Sequence, residues 1–444
     1  MTTSPYWNPK NETLDRQALD RLQAAKLKRL VAAAWKKSAF HRRKLEAAGV
    51  TPDAIETLDD LRRIPFTTRE EWMEAQEEHP PFGDLLAAPV DEAIRYHHTS
   101  GTSGRVPLRA LDDRRDWQWI SECWAYGFWG FGVRPTDRVF FAFSYGSFIG
   151  FWGAHYCCEK IGALVIPSGN MNTETRVKQI IDMDVTTVCA TPTYALRMAQ
   201  VASELGIDLR ASKVDKVIVS GEPAGSIPET KALIEKQWGA ACGDTAGMTE
   251  LGTICMFECS GQPGGMHIIE DHFIEEVIDP ESGEAVPYGT QGERVVTSFG
   301  RGMIPVLRYR TADLVLKVPA STCSCGRGFD VYEGGIRGRV DDMLLIRGTN
   351  VYPRAIESIV RSYPEIDEFQ ILAETIEGVD ELSVLVEMKP DATTAWEDLK
   401  IPLANDLKEA HEMLRINVKL AEAGSLPRFE LKARRLVDKR EIKK

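Results

Sequence analysis

The chain has 444 residues, 43% of them hydrophobic, which is more apolar material than one core holds and points to two or more globular domains. Its 66 acidic and 54 basic residues give a net charge of −12, which disfavours a nucleic-acid or anionic-membrane partner but leaves room for a local anion site. No apolar segment follows a basic start in the opening MTTSPYWNPKNETLDRQ, so a cytoplasmic location is expected, with the nine cysteines kept as thiols or metal ligands.

Over residues 15–50 apolar side chains recur at helical spacing between Lys and Arg and stop at Gly49, predicting a helical lead-in within residues 1–90. The loop YHHTSGTSGRVP comes next, at 96–107. Its small residues leave backbone N–H groups and hydroxyls free to surround an anion, but GTSGRV lacks the spacing and the lysine of a Walker-type loop. Taken alone, it reads equally as a phosphate cradle or a solvated turn. Residues 139–158 are long enough to span a bilayer, yet Gly, Ser, His and Tyr interrupt them, so they read as strand, turn and buried helix. From there DRVFFAF, ALVIP, VTTVCAT and VDKVIVSG alternate with helical segments, the pattern of parallel strands flanked by helices, with function in the loops after the strand C-termini. After Gly243 short alternating segments predict a β subdomain at about 265–335. Glycines and charges mark a hinge at 339–342. The remainder, 343–444, reads as α+β, with helices from Pro353 and Ala395 and strands near Phe369, Ser383 and Ile416. The expected fold is therefore α/β: a large N-terminal domain, 1–338, of parallel sheets flanked by helices plus the β subdomain, and a small mobile α+β domain beyond the hinge.

Five segments share an order and spacing that go beyond local structure: the 96–107 loop, SGEP at 220–223, DTAGMTE at 244–250, YRTADL at 309–314 and GRVDD at 338–342. Together they resemble the motif series of the AMP-forming adenylate-forming enzymes, and within that superfamily the phenylacetate–CoA ligase and aryl-CoA ligase family. The resemblance runs from about residue 91 to the C-terminus. It implies a two-step reaction: a carboxylate and ATP give an acyl-adenylate and pyrophosphate, and the CoA thiol then displaces AMP. It implies β/γ-phosphate contacts from Thr99, Ser100, Gly101, Thr102, Ser103 and Gly104. Thr249 is assigned to the α-phosphate and Glu250 to Mg²⁺, a hard cation suited to carboxylate and phosphate oxygens. Ser220, Gly221, Glu222 and Pro223, with Asp244 and Thr245, are expected around the nucleotide, Asp313 at the ribose hydroxyls and Arg339 near ribose or phosphate. Lys432 stands where the family carries its adenylation lysine, a mobile charge for the reacting phosphate and carboxylate. Asp341 matches the hinge residue about which the small domain turns, and Gly348 is expected near CoA. Two positions depart from the family pattern: Leu431 precedes the lysine where a small residue is usual, and Arg105 replaces a frequent lysine.

Cys259, His267, Cys323 and Cys325 would satisfy a structural Zn²⁺, with His272 the alternative imidazole; some aryl-CoA ligases that this chain resembles carry zinc there. The aromatic residues concentrated in 116–132 and 140–156 suit a flat apolar pocket, and the family pattern places Tyr145, Phe148, Phe151 and Ala224 beside the acid, with Tyr194 a weaker candidate and the role of His155 open. The leading expectation is an aryl-acid–CoA ligase whose partners are a small aromatic acid, ATP and CoA; homo-oligomerisation stays open. An adenylating enzyme that transfers the acyl or nucleotidyl group to a carrier protein, amine or cofactor is the alternative, and a non-catalytic nucleotide- and zinc-binding protein a third.

Overall fold

The computed structural model describes residues 4–99, 107–261, 264–376, 378–429 and 433–440. The lead-in is helical: α1 (Pro9–Glu12), α2 (Arg16–Lys37), α3 (Ala39–Ala47) and α4 (Arg69–Glu78). It breaks at Ser38, where no glycine signals it. Ser38 closes α2 and its side chain accepts from His41 N to start α3, so one polar residue serves both ends. Arg16 ties α2 to the β-rich half through a two-pronged ion pair with Glu270, at 2.9 and 2.8 Å.

β1 (Arg95–His98) and β2 (Arg109–Asp112) form an antiparallel hairpin, followed by α5 (Arg114–Gly130). The segment 139–158, tested above as a membrane span, divides into β3 (Arg138–Phe141), an aromatic loop and α6 (Trp152–Ile161). Among the described residues, no helix is long and apolar enough to cross a membrane. Then β4 (Leu164–Pro167), α7 (Thr173–Asp182), β5 (Thr187–Ala190), α8 (Pro192–Glu204), β6 (Lys216–Ser220), α9 (Pro228–Trp238) and β7 (Ala241–Met248) alternate. The strands pair in parallel in the order β7-β6-β5-β3-β4. β5 is buried along its whole length, as a strand covered on both faces must be.

Beyond β7 the pairing turns antiparallel: β8 (Thr253–Glu258), β9 (Gly265–Ile268), β10 (Phe273–Ile278), β11 (Gln291–Ser298), β12 (Val306–Val318), β13 (Val331–Glu333) and β14 (Gly338–Arg339). These strands do not form a separate layer. Among the described residues they extend the parallel strands into one 12-stranded mixed sheet, ordered β10-β11-β12-β13-β9-β8-β7-β6-β5-β3-β4 with β14 on β12.

The C-terminal part comprises the β15 (Leu344–Ile346) and β16 (Thr349–Val351) hairpin, α10 (Pro353–Arg361), β17 (Ile366–Ile376), β18 (Val379–Met388), α11 (Trp396–Ala410), β19 (Asn417–Leu420) and β20 (Leu436–Asp438). Its four-stranded sheet, β19-β18-β17-β20, closes a core drawn only from Leu344 onward, including Ile356, Phe369, Val384 and Leu403. Arg347 and Gly348 both take positive φ, 50° and 86°, in the β15–β16 turn, the type I′ geometry that a right-twisted hairpin demands.

Candidate active site

In a parallel sheet the loops after the strands open on one edge, and order fixes which become neighbours. Here β7, β6, β5 and β3 are consecutive, so the Thr249–Glu250 turn, the Gly221–Glu222 turn, the start of α8 and the aromatic loop lie side by side. The β1–β2 hairpin crosses this edge. Thr99 closes the mouth of its loop by donating N–H to Leu108 O at 3.0 Å and accepting Leu108 N–H on Oγ1 at 3.1 Å. His98 links to Ser147 of the aromatic loop, ring nitrogen Nε2 to Oγ at 2.7 Å. Ser100 to Gly104, Arg105 and Lys432 lie outside the described residues.

Glu250 is buried, and its carboxylate faces Arg69 of α4 at 2.7 Å; Tyr309 OH donates to the same oxygen at 3.3 Å. Arg69 also donates to Thr99 Oγ1 at 3.3 Å, so one guanidinium spans the expected magnesium acid and the expected phosphate loop. Behind the turn, fully buried Arg301 donates to Thr249 O at 2.7 Å, to Glu250 O at 2.8 Å and to Asp112 Oδ1 at 2.8 Å. Asp112 ends β2, so this strut fixes the hairpin to the turn. β7 and β8 approach closely here: a Cβ on Gly247 would stand 2.3 Å from Thr253 O. Arg69 and Arg301 were not singled out from the sequence; basic residues 181 and 51 positions from Glu250 carry no local signal.

The nucleotide candidates divide into two kinds. Asp313 and Arg339 are brought together by the β12–β14 pairing, with Arg339 Nη1 3.2 Å from Asp313 Oδ1 and its other nitrogens on Asp341 at 2.7 and 2.8 Å. Burial raises the Asp313 pKa, with Arg294 and Arg339 opposing it. Ser220 and Thr245, by contrast, spend their hydroxyls within the β6–β7 pair, on Thr245 O and Val219 O. Asp244 accepts from Ser226 Oγ at 2.5 Å, and burial pushes its carboxyl up to about 7. Glu222 accepts two backbone amides, described below.

Of the acid-pocket candidates, Tyr145, Phe148 and Phe151 gather around Phe143, with ring centroids 4.1, 6.3 and 5.4 Å away. Trp152 adds an edge to Tyr145 at 4.8 Å. Tyr145 holds a positive φ of 48° and its hydroxyl meets His155 Nδ1 at 2.9 Å, which puts one polar pair among the rings. Ala224 stands on a different element, buried in the turn after β6. Tyr194 is buried and its hydroxyl accepts from Arg176 at 2.7 Å, which makes it a packing residue of α7 and α8.

Away from this edge, the ligand atoms of Cys259, His267, Cys323 and Cys325 lie within 4.8 Å of one another. His267 Nδ1 bonds Phe329 O at 3.0 Å, which leaves Nε2 facing Cys325 Sγ at 3.3 Å. The hydrogen bond from Cys259, helped by His267, holds the Cys325 thiol well below its usual range, against the effect of burial. Three sulfurs and one imidazole with a fixed tautomer fit a tetrahedral soft-ligand metal. His272 is not part of the set: its Nδ1 accepts from Trp119 Nε1 at 2.8 Å.

Residues 348–440 match the family described as AMP-binding enzyme C-terminal domain. The chain is 35% identical to a phenylacetate–coenzyme A ligase of Thermus thermophilus over 86% of its length and 84% of the relative's. To the phenylacetate–coenzyme A ligase of Escherichia coli it is 32% identical over 98% of its length and 99% of the relative's. Among solved structures, 2-hydroxyisobutyryl-CoA ligase in the postadenylation state with 2-HIB-AMP is 31% identical and superposes with a TM-score of 0.93, covering 99% of this chain and 93% of that one. The same ligase with 2-HIB-AMP and CoA in the thioesterification state, 32% identical, gives a TM-score of 0.75 over 99% of this chain and 94% of that one.

Proposed function

The chain belongs to the phenylacetate–CoA ligase family and is an AMP-forming acid–CoA ligase that uses ATP and CoA; on that premise we propose that its acid is aromatic. The observation that carries this is the cluster of Phe143, Tyr145, Phe148 and Phe151 in the loop after β3 with Trp152 at the start of α6. Such rings offer a flat, apolar slot on the edge where the nucleotide loops converge.

In the first step a carboxylate oxygen attacks the α-phosphorus and pyrophosphate leaves. Two anions must meet, so the site has to neutralise charge and align the reactants more than move protons. We assign Thr249 to the α-phosphate, Thr99 to Gly104 to the leaving phosphates, Asp313 and Arg339 to the ribose, and Glu222 with its neighbours to the border of the adenine. Glu250 would hold Mg²⁺, which when bound screens the phosphate oxygens. Lys432 supplies the mobile positive charge. In the second step the CoA sulfur attacks the acyl carbon and AMP leaves, after the C-terminal domain turns about Asp341 and brings the Arg347–Gly348 turn toward CoA. The turn suits close approach, because a Cβ on Gly348 would meet nothing within 4 Å. The cysteine cluster we read as a structural zinc site.

A second reading is a hydroxy acid, favoured by the Tyr145–His155 pair among the rings and by the likeness to 2-hydroxyisobutyryl-CoA ligase. One experiment tests both. The protein is incubated with ATP, Mg²⁺ and a panel of phenylacetate, substituted benzoates and short hydroxy acids, with and without CoA. Acid-dependent AMP and pyrophosphate, with thioester only when CoA is present, is expected for an aromatic acid. Preference for the short hydroxy acids would favour the second reading, and release of ADP or no acid-dependent turnover would sink both.

A further inference from the structure

Glu222 joins the two parts of the molecule through the backbone alone. Its carboxylate Oε1 accepts Thr193 N–H at 3.0 Å, in the first turn of α8, and Oε2 accepts Ala433 N–H at 3.1 Å. Ala433 belongs to the C-terminal domain and directly follows Lys432 in the chain. On its own domain this segment is firmly held. Arg435 binds Glu368 at 2.7 Å and Glu357 at 3.2 Å, and β20 runs parallel to β17. Glu222 is therefore a contact offered by the large domain to a segment already fixed on the small one. The posture is informative too: the fold matches the postadenylation state of 2-hydroxyisobutyryl-CoA ligase at a TM-score of 0.93 and the thioesterification state of the same enzyme at 0.75. A hydrogen bond that spans the domains does not survive rotation of one against the other.

We propose that Glu222 is a positioning residue that seats the lysine-bearing segment on the nucleotide site during adenylate formation and releases it for the thioester step. This rests on the reaction proposed above. The seat is independent of the side chain at 433, because the donor is an amide, and Lys432 is the next residue along the chain. Burial raises the Glu222 pKa while the Thr193 and Ala433 amides oppose the rise, as expected of a carboxylate that needs both donors to stay charged.

The test uses Glu222→Ala together with Ala433→Pro, which removes the donor, at the cost of a stiffer backbone at 432–433, and leaves Glu222 and α8 intact. Adenylate formation by ATP–pyrophosphate exchange is measured beside thioester formation from a supplied acyl-adenylate and CoA. Amide hydrogen exchange over residues 426–440 is followed without substrates. Both variants should lose about 10- to 100-fold in adenylate formation, the scale of a hydrogen bond to a charged group. In Ala433→Pro the thioester step should stay within about twofold, and exchange over 426–440 should quicken in both variants. Equal losses in the two half-reactions of Ala433→Pro, or unchanged exchange in either variant, would overturn the seat. A wild-type chain that forms no adenylate overturns the reading of the reaction instead, since the exchange measurement needs no turnover.

Discussion

At Glu250 a buried carboxylate is paired with a guanidinium that is itself 39% exposed at the end of α4. An exposed arginine is screened, but the acid it faces is not, so the pair is worth more than a surface bridge and less than a fully buried one. Arg69→Ala should cost roughly 1–2 kcal/mol of stability in metal-free buffer. Added MgATP should then raise the melting temperature of the variant more than that of wild type, because a bound cation takes over the neutralising role. Thermal denaturation with and without MgATP checks this; equal ligand shifts would argue against Glu250 as the magnesium acid. The pairing also shows where reading the chain stops. Glu250 itself was singled out in the sequence, through the resemblance that DTAGMTE carries. Its partners Arg69 and Tyr309 were not, because they reach it from elements 181 and 59 residues away.

At the scale of elements, strands covered on both faces, such as VFF in β3 and TVCA in β5, were legible because burial writes a continuous apolar run. The β1–β2 hairpin was missed because RYHH and RALD are short and polar, and their pairing is set by contacts with α5, Arg301 and the aromatic loop. The cysteine cluster joins three such pieces: the end of β8, strand β9 and the turn before β13. Short connections of this kind have little apolar area with which to hold themselves. Treatment with a strong chelator should therefore lower the melting temperature and release zinc at about one per chain, and Cys323→Ser should do the same. Metal analysis of protein purified without added zinc checks it; substoichiometric zinc throughout, with no change on chelation, would rule the site out.

For the whole molecule, the two parts meet, among the described residues, through few polar contacts. Arg354 of α10 donates to Ser226 O at 2.9 Å and Gly334 O at 3.0 Å, and Ser358 Oγ donates to Glu229 Oε2 at 2.8 Å. Burial lowers the Arg354 pKa to about 10, which is still charged at neutral pH. Few contacts suit the domain rotation proposed above. Arg354→Ala should shift the docking equilibrium by roughly tenfold toward other postures, the scale of charge-assisted hydrogen bonds lost at one residue. Small-angle scattering of the ligand-free variant would show this as a poorer fit to the docked form than wild type gives; identical profiles would mean that apolar packing holds the posture. The hinge composition at 339–342 hinted at two parts, but which faces meet was not legible, because Ser226 and Gly334 present backbone carbonyls and backbone carries no sequence signature.

The order of the parallel strands has a consequence for how such an enzyme can change over time. The Glu250 turn follows β7 and the aromatic loop follows β3, with β6 and β5 between them. Three inter-strand steps separate the two, roughly 14 Å at ordinary spacing. On the assignments proposed above, residues that choose the acid and residues that handle phosphate sit on different loops anchored to different strands. A lineage can rewrite the stretch from Phe143 to Trp152 and acquire a new acid while the Thr249–Glu250 turn, held from behind by Arg301, is inherited unchanged.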